Sequence, residues 1–245
     1  PSPPRRSSDL EWVAAVEHLG HSVENRYIHH ARAAVDSMVG LMLAYQALGQ
    51  KDDAQTTLKT IKEYVASLAD PAMESLALSA EARLAIWQGR PGAARLRFEE
   101  SEPPPEGALL WWLNIPSIVR CQALMSAGSP GGLVKAEARL RKCAEVIEAQ
   151  HNSYQLIRVL TLLALVYERQ RKTEESLGIL EQAVTMARGG DIFLPFVELG
   201  KPMVDLLNKL STENEFVTKV KRLVNAIGLP SHSFTADKVE AGNFP

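Results

Sequence analysis

The stretch LTLLALVYERQRKTEESLGILEQAV (160–184) decides the fold of this 245-residue chain. Bulky apolar residues recur three and four positions apart on both sides of a polar break at 170–175, which is the spacing of one buried face on a helix. Thr173 and the acidic residues after it suit a helix start, because unpaired amides and the helix dipole favour such groups there. The stretch therefore predicts two helices joined by a tight turn.

The same hairpin pattern occurs four times along the chain. A small residue follows each break, and a large apolar residue follows it four positions later. The small residues are Ala54, Ala94, Ala136 and Ser176, and the large ones are Leu58, Phe98, Leu140 and Leu180. A small side chain lets two antiparallel helices approach, and each pair leaves an apolar face that only the next pair covers. This spacing is typical of tetratricopeptide-like repeats lengthened from about 34 to about 40 residues. The alternative is an irregular helical bundle with chance coincidences.

These repeats predict an all-α fold. We expect a superhelix of antiparallel helix pairs at 10–228, closed by a helical cap after the last repeat, because no run has the period of two that strands need. The composition of the two ends, rich in Pro and Ser, predicts a flexible lead at 1–9 and a flexible tail at 229–245.

Composition and motifs exclude several classes of function. The net charge of −2 argues against a dedicated nucleic-acid surface. The longest uncharged apolar run, 159–167, is too short to cross a bilayer. The two cysteines, Cys121 and Cys143, are expected to be reduced, which favours a cytoplasmic location. No phosphate-binding loop, hydrolase motif or complete set of metal ligands is present, so we expect no enzyme activity, no metal and no cofactor in this chain.

The inner face of such a superhelix is where these proteins bind, and the first helix of each pair lines it. Counting from Tyr167 as a core residue places the following side chains on that face as the candidate groove for an effector or partner: Arg83, Trp87, Gln122, Arg158, Thr161 and Arg169. The same counting places Asp36 and Ser79 there. An apolar floor with a few polar groups suits a small polar ligand or a peptide. The open alternative is that the arginines only pair with neighbouring carboxylates.

Three stretches of the chain resemble one known family. They are VGLMLAYQALGQKDDAQTTL (39–58), LLWWLNIPSIVRCQALMSAG (109–128) and LALVYERQRKTEESLGILEQAVTMARGGDIFLPFVELGKPMVDLL (163–207). They are similar to the helical-repeat region of the large ATP-dependent LuxR-type transcription regulators, the group typified by the maltotriose-responsive activator of maltose genes. The most specific match is a tail motif comprising Gly189, Gly190, Ile192, Pro195, Phe196, Val197, Glu198, Gly200, Pro202 and Met203. The resemblance covers roughly 33–228.

The resemblance implies a non-catalytic sensor and interaction domain of a bacterial regulator. Its partners would be a small-molecule effector or a regulatory protein, with self-association possible and no membrane involved. ATP and DNA would bind in modules outside this chain. The alternative function is a generic repeat scaffold that binds a protein segment without small-molecule sensing.

Overall fold

The computed structural model describes residues 7–90, 92–94, 113–126, 128–210 and 214–227. Within these ranges the regular structure is helical and no strand occurs, so the predicted all-α class is confirmed. Of the predicted lead at 1–9, residues 1–6 lie outside the described residues, and a helix begins at Ser7. The predicted tail at 229–245 and the large repeat residue Phe98 also lie outside them.

The helices are numbered here in chain order. They are α1 (Ser7–Glu24), α2 (Ala31–Ala47), α3 (Lys51–Leu68), α4 (Pro71–Trp87), α5 (Pro116–Ser126), α6 (Pro130–Ala149), α7 (Ser153–Arg169), α8 (Thr173–Arg188), α9 (Leu194–Val197), α10 (Gly200–Leu207) and α11 (Glu215–Ile227), with a 3-10 turn at Arg26–Ile28 between α1 and α2. Residues 92–94, after α4, are also helical.

A tight turn of one kind joins the two helices of each pair. Gly49, Gly89 and Gly128 take the left-handed conformation, with φ of 76°, 73° and 64°. In the last turn, which has no glycine, Arg171 takes it with φ 62°. In each of the four turns, the N–H of the residue in the left-handed conformation donates to the carbonyl three residues earlier, at 3.0 or 3.1 Å. The shared geometry reverses the chain, so consecutive helices pack as antiparallel hairpins.

The small residue of each repeat lies where the two helices of a pair meet, as predicted. Ala54, Ala94, Ala136 and Ser176 are all 0% exposed. Ser176 is the polar member of the set, and its hydroxyl donates to the carbonyl of Ala164 on the partner helix at 2.8 Å. A larger side chain at these positions would push the helices apart, so the repeat spacing reflects a packing requirement.

The first helices of the pairs form an inner layer in which α2 contacts α4, α4 contacts α5, and α5 contacts α7. Two apolar cores lie around this layer. The first core joins α2 and α3 to one side of α4, including Leu84 and Trp87. The second joins another side of α4, including Ala82 and Ile86, to the helices that follow. Helix α4 therefore belongs to both cores.

The C-terminal segment covers the last repeat, as the sequence predicts for a cap. Helices α9 and α10 contact α7, and α11 contacts α8. Phe216 of α11 anchors this arrangement, since its ring stacks on Phe193 at 4.8 Å and meets Phe196 edge-on at 5.4 Å between centroids. Phe196, Val197 and Leu199 are nearly fully buried. The tail motif is thus buried at 195–200, next to the inner layer, whereas its first residues, Gly189 and Gly190, are exposed.

Candidate functional site

Polar side chains from three inner-layer helices converge on the backbone of Leu113 and Asn114. Asp36 of α2 accepts the N–H of Leu113 at 2.8 Å and that of Asn114 at 3.1 Å. Arg83 of α4 and Arg158 of α7 both donate to the carbonyl of Leu113, at 3.2 and 2.9 Å. The inner face predicted from the sequence therefore does gather these residues, around a short segment that the prediction did not include.

The side chain of Asn114 completes the attachment of this segment. It is 0% exposed, it accepts a hydrogen bond from the hydroxyl of Ser79 at 2.9 Å, and its amide donates to the carbonyl of Leu76 at 3.1 Å. Arg32 of α2 also donates to the carbonyl of Asn114. The segment before α5 is thus fixed to α2 and α4 by both its backbone and its side chain.

Glu198 of the tail motif joins the two arginines from the other side. Nη2 of Arg83 donates to Oε1 of Glu198, and Nη2 of Arg158 lies 3.9 Å from Oε2. All three side chains are no more than 2% exposed. Losing one partner of such a buried ion pair strongly destabilises the folded protein, because an uncompensated charge remains in the interior. Both arginines therefore pair with a carboxylate as well as with the carbonyl of Leu113.

The cluster carries more positive than negative charge. Arg32, Arg83 and Arg158 are three cations, and Asp36 and Glu198 are two carboxylates, which leaves one positive charge unbalanced. Burial, together with the like charge of Arg83, lowers the pKa of Arg158 to about 10. Burial raises the pKa of Asp36, while Arg32 and the N–H groups of the Leu113–Asn114 segment partly offset that rise. The low-polarity surroundings thus dominate the electrostatics of the site.

The other predicted groove residues lie apart from this cluster or point into the protein. Trp87 is 2% exposed and belongs to the first core. Gln122 is 3% exposed, and the hydroxyl of Thr161 donates to the carbonyl of Arg158 at 2.9 Å. Arg169 is half-buried, and its Nη1 donates to the carbonyl of Met125 at 2.6 Å. A role of the six predicted residues in binding stays a prediction.

A pocket of about 320 Å³ lies beside the cluster, between α1 and the cap. It is lined by Glu11, Trp12, Ala15, Tyr154, Asp191, Ile192, Phe193, Leu194, Val197 and Leu223. Its walls are mainly apolar. Lys219 of α11 holds one edge of it, since its Nζ lies 4.1 Å from the Phe193 ring centroid and 4.0 Å from a carboxylate oxygen of Glu11. The pocket therefore joins the first helix of the chain to the last described one.

Two donors on the pocket's lining side chains are unpaired. Nε1 of Trp12 and the hydroxyl of Tyr154 are buried and have no hydrogen-bond partner among the described residues. Burial, together with the nearby Glu198 carboxylate, raises the pKa of Tyr154 to about 12. The hydroxyl therefore stays protonated and remains a donor at neutral pH.

Sequence reasoning missed the residues that complete the cluster and the pocket. The role of Glu198 could have been inferred, because it is the one carboxylate within the otherwise apolar stretch FLPFVELG (193–200). Asn114 stands just before Pro116, where a helix start would need a capping or turn residue. Trp12 and Tyr154 gave no such signal, since an aromatic residue on an amphipathic helix normally indicates only core packing.

Two negative findings concern metal ions and membranes. No group of three or more His, Cys, Asp or Glu side chains in the described ranges is arranged to hold a metal ion. Of the helices that the structure describes, none has the length and hydropathy needed to cross a membrane.

Comparison with known proteins gives a family. No curated protein matches the chain. The family described as MalT-like TPR region matches residues 9–213, which covers the four helix pairs and the tail motif. The antiparallel pairs, the buried small residue of each repeat and this match agree. The chain therefore belongs to the family of MalT-like TPR regions and is a helical-repeat region of a MalT-type regulator.

Proposed function

We propose that the chain is the non-catalytic sensor and interaction domain of a bacterial ATP-dependent LuxR-type transcription regulator. An effector or a regulatory protein binds its inner face, and the resulting change passes to ATPase and DNA-binding modules outside this chain. ATP is used in those modules. The domain works in the cytoplasm, and this location is supported by Cys121 and Cys143, which form no disulfide.

The observation that carries the proposal is the incomplete pairing of the buried polar cluster. Nε of Arg83, Nε and Nη2 of Arg158 and Oε2 of Glu198 have no hydrogen-bond partner among the described residues. Buried polar groups without partners reduce the stability of the arrangement that holds them. A ligand or protein segment that pairs these groups would stabilise a different arrangement of the inner face.

The position of Glu198 supplies the relay. It lies in the tail motif, between α9 and α10, and it pairs with arginines of α4 and α7. An effector that competes for these arginines would release the segment 194–207 from the inner face. A ligand shifts an equilibrium between two conformers by the difference in its affinity for them. The relay therefore requires that the effector bind one of two conformers more tightly. In one conformer Glu198 pairs with the arginines, and in the other the segment 194–207 is released from them.

The test is a screen of the chain by thermal shift and calorimetry against sugars, metabolites and peptides. Each compound or peptide that binds is then tested by amide hydrogen exchange, and the protection of residues 194–207 is expected to change. Arg83→Gln and Arg158→Gln should each weaken the affinity for that compound or peptide. The matched control is Arg141→Gln, because Arg141 is 61% exposed and its ion pair is with Glu137 on its own helix.

Two results would contradict the proposal. One is that no compound or peptide binds with a measurable enthalpy or raises the melting temperature. The other is that a ligand binds with equal affinity to the wild type and to both arginine variants, and leaves the exchange of 194–207 unchanged.

A second candidate, a scaffold that binds a protein segment without sensing a small molecule, is favoured by one observation. Tyr27 and Ile28, on the 3-10 turn after α1, are 72% and 81% exposed. Contiguous exposed apolar surface marks protein contacts, and these two side chains are the most exposed large apolar ones among the described residues. If this function is correct, a protein partner will be retained by the wild type and lost with Tyr27→Ser and Ile28→Ser, and metabolites will have no effect on it.

A further inference from the structure

The pocket beside the inner face has features that the buried arginine cluster lacks. Its volume of about 320 Å³ lies at the lower end of the range of about 300–1,000 Å³ found for small-molecule sites. Trp12 and Leu194 on its wall pack against the first core, whereas Ile192 and Phe193 pack against the second. The pocket thus opens where the edges of the two cores meet.

We propose that this pocket binds a small, neutral, predominantly apolar molecule that carries one or two hydrogen-bond acceptor oxygens. The proposal rests on the proposed function for the relay through Glu198, and it adds a second ligand to the effector or partner proposed for the inner face. This second ligand binds between α1 and the cap, outside the arginine cluster.

The apolar character of the ligand follows from the walls. Side chains of Trp12, Ile192, Phe193, Leu194, Val197 and Leu223 supply most of the lining. A ligand with many hydroxyl groups would leave them without partners against these walls, and each unpaired polar group costs free energy. An apolar ring or chain instead gains the free energy of leaving water.

The acceptor oxygens follow from the two unpaired donors. An indole N–H can only donate, and the protonated Tyr154 hydroxyl has no acceptor among the described residues. Both atoms are shielded from solvent, so the wall must adjust slightly for a ligand oxygen to reach them. Changes of side-chain rotamer at a binding surface are common.

The neutral charge follows from the carboxylates around the pocket. Glu11 and Asp191 line it, and the Glu198 carboxylate lies close enough to Tyr154 to raise the pKa of its hydroxyl. These groups disfavour an anion. A cation is disfavoured by the two donors, which present hydrogens to the ligand, and by Lys219 at the pocket's edge.

Occupancy of the pocket would act on the cluster through a short path. Val197 lines the pocket and is the residue before Glu198. A ligand pressing on Val197 and Tyr154 therefore changes the position of the carboxylate that pairs with Arg83. This connection gives the sensor a route from a ligand to the tail motif.

The experiment uses three probes of known chemistry: 2-acetylnaphthalene, a neutral ketone; 2-naphthoate, its anionic counterpart; and maltotriose, a neutral oligosaccharide. Binding to the chain is measured by calorimetry and by probe fluorescence where the probe fluoresces. We expect saturable binding of the ketone and at least about tenfold weaker binding of the other two, which is about 1.4 kcal/mol.

Two variants place the site. Ala15→Phe fills the pocket and should abolish binding of the ketone, whereas the matched control Ala14→Phe, on the exposed side of the same helix, should leave it unchanged. Tyr154→Phe removes one donor and should weaken binding about three- to tenfold, the usual effect of losing one hydrogen bond. Thermal unfolding of each variant verifies that it is folded.

Three results would overturn the inference: no saturable binding of the ketone up to its solubility limit, tighter binding of 2-naphthoate or maltotriose than of the ketone, or full ketone affinity in Ala15→Phe. Failure of the proposed function looks different. If the ketone binds and Ala15→Phe abolishes this, but hydrogen exchange of 194–207 does not change, the pocket is correct and the relay is wrong. If a sugar or peptide changes that exchange equally in the wild type and in Ala15→Phe, and the ketone does not bind to either, the relay is correct and the pocket is wrong.

Discussion

Arg83 donates a hydrogen bond to Glu198, which lies 115 residues later in the chain, and both side chains are 1% exposed. The contact joins the second helix pair to the C-terminal segment across the inner face. Repeat proteins are usually stabilised by contacts between neighbouring repeats. This ion pair is therefore a long-range constraint added to a fold built from local ones.

Removing the carboxylate should destabilise the protein strongly. Glu198→Gln keeps the shape but leaves Arg83 and Arg158 without their anion, and breaking a buried pair in this way costs about 3–5 kcal/mol. Urea unfolding followed by circular dichroism measures the loss. The control is Glu63→Gln, since the Lys59–Glu63 pair is exposed at both ends and such pairs contribute at most about 1 kcal/mol. Equal losses in the two variants would show that the buried pair is not a major source of stability.

Two adjacent glycines at the start of α6 should respond in opposite ways to alanine. A methyl group at Gly132 would lie 2.8 Å from the Ser129 hydroxyl and 3.0 Å from the carbonyl of Leu124, whereas one at Gly131 meets nothing within 4 Å. We expect Gly132→Ala to lose about 1–3 kcal/mol, because the backbone of α5 must shift. Gly131→Ala should be neutral or gain up to about 1 kcal/mol from helix propensity. Thermal melts of the two variants provide the comparison, and a stabilised Gly132→Ala would contradict the close packing of α5 on α6.

The two thiols should differ in reactivity. Cys121 is 0% exposed, and burial raises its pKa to about 12, so almost no thiolate forms at pH 8. Cys143 is half-buried on α6. With a disulfide reagent under native conditions we expect one fast reaction, which Cys143→Ser removes and Cys121→Ser leaves in place. Fast labelling of Cys121 in the native protein would show that the second core opens readily.

The Tyr154 hydroxyl makes stability depend on pH in the alkaline range. Its folded pKa of about 12 is above the ordinary value of 10.0, so between these values the folded state keeps a proton that the unfolded state has lost. The stability that this group contributes is present below pH 10 and is lost as the pH rises toward 12. Urea unfolding between pH 9 and pH 11 should therefore show a smaller decline for Tyr154→Phe than for the wild type. An identical decline would mean that the hydroxyl titrates normally.

The repeat architecture could be predicted from the sequence because its signals are local. Ala54, Ala136 and Ser176 follow turns of recognisable composition, and the same close approach of two helices selects a small side chain each time. Arg171 stands where the other three turns have a glycine, yet the polar residues around it still indicate a break between two helices.

The closure of the inner face could not be predicted in the same way. Counting along the helices correctly brings Asp36, Arg83 and Arg158 to one face, but what covers that face depends on Asn114 and Glu198. These residues come from irregular or short segments whose position depends on tertiary packing, which periodicity does not encode. The residues of the inner face were thus predictable and their burial was not.

The sharing of α4 between two apolar cores has a consequence for how the protein comes apart. Contiguous cooperative units open with separate free energies, and here the boundary between two such units runs along a single helix. We expect the block of α2 and α3 and the block from α5 onward to unfold as distinct cooperative units, with α4 as the helix that connects them. Mechanical tension applied to one block would then be transmitted to the other through that helix and through the Arg83 contact it carries.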